Sequence, residues 1–189
     1  IGLARAGRYG EAMAASRLGA ELDPLSPVAR AGGYGLTALG ARRYDIARRE
    51  AQEALRLDSA FAGARVVMAA AELLAGMPAA CAAQDLPTAP ALRATCVYEA
   101  GNPRRGAALA DSLNRAYRAG GGTAYDLGFL AAYHARRGDV IAAIAWLIGS
   151  SLVCWVMVGE GSRSIGVPPK CCAAFGADVR FGCSTEVIV

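Results

Sequence analysis

The sequence predicts an all-α protein built as a stack of helical hairpins, with a tail of different character. Three observations predict this fold class. Alanine supplies 40 of the first 150 residues, which favours thin, closely packed helices over a sandwich or a barrel. One segment recurs after 35 residues, and small residues stand at fixed places around each recurrence.

The repeat is clearest near the start of the chain. The segment RYGEA at residues 8–12 returns as RYDIA at 43–47, an offset of 35 residues. Two helices of about 12–15 residues with two short turns fill such a period. The same register predicts three further units, whose turns lie near residues 76, 101 and 138.

The register places small residues where paired helices should cross. On the second helix of each pair these are Ala12, Ala47, Cys81, Gly106 and Ala143, and on the first helix Gly35, Ala69, Ala94 and Ala131. Small residues at both places let the two axes approach to the lower end of the usual distance of about 8–10 Å.

The turns between helices follow the same register. Left-handed helix ends are expected at Gly7, Gly76, Gly101 and Gly138, with Arg42 standing where a fifth glycine belongs. Pro78 and Pro103 then fall in the first turn of the next helix, and Asp139 and Thr123 are expected N-caps. The third unit is short, because only 25 residues separate Pro78 from Pro103.

With these residues the chain resembles the tetratricopeptide repeat (TPR) family. The resemblance rests on Gly7, Tyr9, Ala12 and Pro24, repeated in part as Tyr44, Ala47 and Ala54. Residues 125–147 are similar to the closing repeats of bacterial signalling proteins in which such an array follows a winged-helix, adenylate-cyclase or protein-kinase domain. The resemblance implies a right-handed α-α superhelix, a helical-hairpin solenoid, over residues 1–150.

The chain has few of the residues that several kinds of active site require. One histidine (His134) and one lysine (Lys170) argue against His-based metal centres, lysine phosphate loops and most catalytic triads. Residues 33–38 superficially match a dinucleotide fingerprint, but no strand precedes them, and Gly35 is better explained by close helix packing. We therefore predict no catalytic, cofactor-binding or metal-binding residue and no small-molecule substrate, with His134 in the core or the groove.

The charge pattern argues against a nucleic-acid surface. The net charge of +4 comes from residues 1–150, where arginines alternate with Asp and Glu, as at Arg48, Arg49 and Glu50. A nucleic-acid interface needs a one-sided basic stripe with aromatic partners. Solvated helix faces are the expected role of these charges.

A partner groove is predicted on the first helices of the pairs. Its residues are apolar and slightly aromatic, and those we single out are Leu36, Leu39, Val66, Leu73, Tyr98 and Tyr125. Such a surface suits an apolar helix of a partner or of the chain itself. Packing against a neighbouring repeat explains the same residues equally well.

The chain changes character after about residue 150. Alanine falls to three in 39 residues, and four of the six cysteines appear there. We expect residues 151–189 to be a poorly ordered tail, either non-native or an unfamiliar β-rich segment. With no secretory signal pattern, we expect all thiols to be reduced. An uncharged run over residues 140–159 is long enough to span a bilayer, but its first part also fits the last helical pair.

The function predicted from these features is protein–protein interaction. The chain begins at Ile1 without an initiator Met, which suggests a fragment of a larger bacterial signalling protein. In that setting the array acts as an accessory or sensor module in the cytoplasm, and a periplasmic or membrane-anchored location is the alternative. A second interpretation makes the array the non-catalytic part of an enzyme or a DNA-binding regulator.

Overall fold

In a computed structural model, which describes residues 2–118 and 124–146, the chain forms helices and no strands within those ranges. The all-α prediction is confirmed for this part of the chain. The helices are α1 (Gly2–Arg5), α2 (Tyr9–Leu22), a π-helix (Val28–Gly35), α3 (Leu36–Gly40), α4 (Tyr44–Leu57), α5 (Ala62–Leu74), α6 (Pro78–Ala83), α7 (Pro90–Glu99), α8 (Pro103–Arg118), α9 (Ala124–Arg136) and α10 (residues 140–146).

The described part of the chain divides into two compact units, the first made of residues 2–110 and the second of residues 111–118 and 124–146. The first unit holds α1 to α7 and the first half of α8. The second unit holds the second half of α8 together with α9 and α10. The domain boundary predicted at residue 150, the tail 151–189 and the N-cap predicted at Thr123 lie outside the described residues. No described helix combines the length and the apolar character that crossing a bilayer requires.

Five helix ends share one hydrogen-bonded turn. The turns are centred on residues 7, 42, 76, 101 and 138, all of which have positive φ, and they stand 35, 34, 25 and 37 residues apart. At Gly76, for example, Met77 N–H donates to the Glu72 carbonyl at 2.8 Å and Gly76 N–H donates to the Leu73 carbonyl at 3.2 Å. This pair of bonds defines the Schellman motif, and the same pair closes the other four turns.

Arg42 confirms the register at the place where the sequence departs from it. Its φ is 58°, in the left-handed region that glycine occupies at the other four turns. The bonds from Arg43 N–H to the Ala38 carbonyl (2.8 Å) and from Arg42 N–H to the Leu39 carbonyl (3.1 Å) hold it there. These two backbone hydrogen bonds therefore close the turn in a conformation that an arginine does not favour.

All nine small positions predicted at helix crossings are buried. Gly106 shows the closest approach, because a Cβ placed on it would lie 2.7 Å from Tyr98 Cβ and 2.9 Å from the Ala94 carbonyl oxygen. At Gly35 a Cβ would meet the Arg30 carbonyl oxygen at 3.3 Å and Val67 Cγ1 at 3.4 Å. Close packing, as predicted, accounts for Gly35.

The core of the first unit is built mainly from alanine. α4 packs on the π-helix and on α5, and α2 packs on the π-helix. The central cluster contains seven alanines and one valine: Ala31, Ala38, Ala47, Ala51, Ala54, Ala64, Val67 and Ala71. Larger side chains such as Tyr44 and Met68 close its edges. The first helix of this pair begins as a π-helix, whereas the sequence predicts an ordinary α-helix there.

The short unit contains a disulfide. α6 is only six residues long, and its Cys81 is bonded to Cys96 of α7, with the Cα atoms 5.4 Å apart. The expectation of reduced thiols is wrong for this pair, since the fold brings the two Cα atoms to a separation at which disulfides form. Both residues are fully buried. The prediction that Cys81 occupies a small packing position is confirmed.

Candidate functional site

The predicted groove residues differ in how far they are open to solvent. Leu36 is 44% exposed, and Val66 and Tyr98 are half-buried. Leu39 is half-buried against the alanine core, and Leu73 is buried. Tyr125 lies in α9, and its side chain falls outside the described residues. A partner approaching the first unit along the first helices would therefore meet Leu36 before any other member of this set.

A charged cleft lies elsewhere in the first unit, between α2, the π-helix and α4. It encloses about 480 Å³ and is lined by Arg17, Ala20, Glu21, Pro24, Arg30, Tyr34, Arg49 and Glu50. From the sequence, Arg49 and Glu50 are expected on solvated helix faces. The structure corrects this for Glu50, which is 5% exposed.

Glu50 fixes two arginines at the base of the cleft. Its Oε2 accepts a hydrogen bond from Nη1 of Arg30 at 3.0 Å, and its Oε1 accepts one from Nε of Arg49 at 3.3 Å. Nε of Arg30 also donates to the Pro24 carbonyl at 3.0 Å, which ties the turn after α2 to the π-helix. A buried carboxylate with both oxygens bound holds its partners in one orientation.

The outer wall of the cleft is a weaker ion pair. Nε of Arg17 lies 3.5 Å from Oε1 of Glu21, one turn along α2, and both side chains are more than half exposed. An exposed pair of this kind contributes little to stability. Its effect is to set the charge at the mouth of the cleft.

The sequence carried a partial signal for this cleft. Arg49 and Glu50 are adjacent in a helix, and a glutamate followed by alanine at 51 and 54 lies on the buried face. A glutamate at a core position needs a cationic partner, and besides the adjacent Arg49 the fold supplies Arg30 from another helix. Arg30 could not be identified as a partner from sequence, because it lies in a helix twenty residues away.

His134, the single histidine, is buried in α9 within the second unit, at 8% exposure. Burial lowers its pKa, and the Asp139 carboxylate, whose Oδ2 lies 3.7 Å from Nδ1, acts in the opposite direction. Its ring meets Tyr133 edge to face at a centroid distance of 5.3 Å. The predicted N-cap at Asp139 is confirmed, because its Oδ1 accepts the Ala142 N–H at 3.1 Å.

Over residues 2–118 and 124–146, no three His, Cys, Asp or Glu side chains come together as metal ligands would. Comparison of the chain with models of protein families, with curated protein sequences and with solved structures gives no match.

Proposed function

We propose that this chain is a protein-binding helical-repeat module of the tetratricopeptide type, with residues 1–150 forming a superhelical array. The observation that carries the proposal is the recurrence of one Schellman turn at five helix ends. Each turn lies between a first and a second helix, and at each crossing a small buried residue lets the helices approach.

Stacked hairpins of this kind bind partners through their extended surfaces. Each unit contacts its neighbours, so that side chains from successive first helices line one continuous face. Leu36 supports such a role, because a large apolar side chain that is 44% exposed on a first helix is available to a partner. A partner that covers it would gain the free energy of burying apolar surface.

The setting we propose is a larger bacterial signalling protein, in which this array is the accessory or sensor part. The support for this is the resemblance of residues 125–147 to the closing repeats of such proteins. The array would then receive a protein or peptide partner and pass the effect of binding to a neighbouring effector domain.

The test uses two leucines of matched exposure. Leu36 lies on a first helix and is 44% exposed, and Leu57 ends a second helix, α4, and is 41% exposed. A photo-crosslinking amino acid placed at each position, in cells of the source organism, should give a discrete protein adduct at 36 and none at 57. The adduct is identified by mass spectrometry.

Binding of the identified protein is then measured with Leu36→Glu and Leu57→Glu. Leu36→Glu should weaken binding by about tenfold, the effect of losing one well-buried apolar contact, and Leu57→Glu should leave it unchanged. Both variants should keep the helical circular dichroism of the parent. Equal adducts at both positions, or none at either, would contradict the proposal.

A further inference from the structure

The geometry of the charged cleft between α2, the π-helix and α4 points to a second binding site, one for the side-chain carboxylate of an acidic segment in a protein partner. This inference rests on the proposed function, because it assigns a chemistry to part of the partner. The cleft belongs to different side chains from the predicted groove, so the two can be tested separately.

The charges of the cleft favour an anion. Three guanidinium groups, from Arg17, Arg30 and Arg49, face two carboxylates, from Glu21 and Glu50. One positive charge is left over. A ligand with a single negative charge makes the cleft neutral. A cleft with an excess of positive charge attracts negatively charged groups from a distance.

Arg49 offers the unused donors. Its Nε is bound to Glu50, and no bond from its two Nη groups is found among the described residues. Its side chain is 62% exposed, so these groups are open to a ligand. A planar guanidinium held at one edge presents its other donors in a fixed fork, which matches the two oxygens of a carboxylate.

The base of the cleft keeps this fork in place. The Glu50 side chain is 7% exposed and bridges Arg30 and Arg49, and Arg30 is itself tied to the Pro24 carbonyl. A ligand that binds a preorganised group loses less side-chain entropy than one that must order it. The buried glutamate is thereby a positioning residue for the binding arginine.

The rest of the lining favours a peptide over a free anion. Ala20, Pro24 and the ring of Tyr34 give the cleft apolar walls, and its volume of about 480 Å³ exceeds what one small anion fills. Glu21 and Glu50 would repel the second charge of a phosphate dianion. A carboxylate carried on a peptide, with neighbouring atoms against the apolar walls, satisfies both features.

The experiment measures fluorescence anisotropy with the full chain and a labelled peptide of alternating Glu and Ala. The expected result is saturable binding that weakens with added salt, and no binding of the same peptide with Gln in place of Glu. Inorganic phosphate, added as a competitor, should displace the peptide only weakly. In ¹⁵N-labelled protein, the Nε–Hε signal of Arg49 should shift with the peptide.

Two neighbouring arginines give the matched variants. Arg49→Gln should lower the affinity by about tenfold, since a charge-assisted bidentate contact is lost. Arg48→Gln removes the same charge from an exposed side chain outside the cleft lining and should change affinity less than about twofold.

Three results would overturn the inference. Equal losses for Arg48→Gln and Arg49→Gln would show general charge attraction, and tight competition by phosphate would show a simple anion site. Absence of saturable peptide binding would remove the site altogether. If a protein adduct forms at position 36 but any of these three results is found, the proposed function stands and the cleft inference fails. If no adduct forms at position 36 but the peptide binds as expected, the cleft is a carboxylate site and the proposed function fails.

Discussion

Two neighbouring regions of the first unit keep the same turns but fill their cores differently. The alanine region, residues 28–74, has a core of seven alanines and one valine. The disulfide region, residues 78–106, is shorter and buries Leu86, Leu92, Thr95 and the Cys81–Cys96 pair almost completely. Where the helices are long, close packing of small residues is enough to form the core. Where α6 is cut to six residues, larger side chains and a covalent bond replace the missing helix surface.

The largest difference between the regions should appear when a core side chain is shortened. Leu92 is 2% exposed, and Leu92→Ala should cost about 2–5 kcal/mol of unfolding free energy because it removes a large side chain from a packed site. Ala51→Gly, in the alanine region, should cost about 1–2 kcal/mol. Urea unfolding followed by circular dichroism measures both, and equal costs would remove the contrast.

The disulfide should account for the next largest effect. It closes a loop of 15 residues, and reduction should lower the unfolding free energy by about 3 kcal/mol through the larger entropy of the open unfolded chain. A chain carrying Cys81→Ala and Cys96→Ala serves as the control, since added reductant should not change its unfolding midpoint. A midpoint that moves equally in both chains would assign the effect to other cysteines.

The two glycines at helix crossings should respond differently to a methyl group. Gly106→Ala places Cβ within 2.9 Å of backbone atoms of Ala94 and Tyr98, and the helices must separate at a cost of about 1–3 kcal/mol. Gly35→Ala meets its nearest neighbour at 3.3 Å, and the higher helix propensity of alanine offsets most of the crowding. Thermal melts that rank the two variants in the opposite order would contradict this account.

The smallest expected effect is a gain in stability at Arg42. Arg42→Gly removes the strain of a left-handed arginine, which stabilises the folded state by about 1–2 kcal/mol. It also makes the unfolded chain more flexible, which destabilises the folded state by about 0.5–1 kcal/mol. The net change should be a stabilisation of about 0.5–1 kcal/mol. The reciprocal variant, Gly76→Arg, should destabilise by a similar amount. If Arg42→Gly lowers the melting temperature, the Arg42 side chain has a role that its exposed position does not indicate.

Much of the fold could be predicted because its determinants are local. The turn glycines, the prolines at 78 and 103 and the small residues five positions after each turn all follow from the helix period and from backbone sterics. The π-helix over residues 28–35 could not be predicted in this way, since its apolar pattern does not distinguish it from an α-helix. Neither could the disulfide, because its pairing depends on how α6 and α7 meet in space.

The candidate site was harder to predict than the fold. Leu36 and Leu73 are both predicted to line the groove, yet Leu36 is exposed and Leu73 is buried. Which of two apolar residues faces a neighbour depends on the packing of the next helix, and that packing is not local. The cleft could not be predicted for the same reason, because Arg30 and Glu50 meet only after the π-helix and α4 have packed.

The Cys81–Cys96 bond also limits how far the chain extends under tension. A pull on the chain ends that separates the helices can straighten the alanine region to its full contour. Between residues 81 and 96 the bond carries the force directly, so that 15 residues, roughly 50 Å of extended chain, never lengthen. The alanine region can therefore be extended further than the disulfide region. Under oxidising conditions the alanine region, which contains Arg30, Tyr34, Arg49 and Glu50 of the arginine cleft, therefore supplies a larger share of any given extension of the chain.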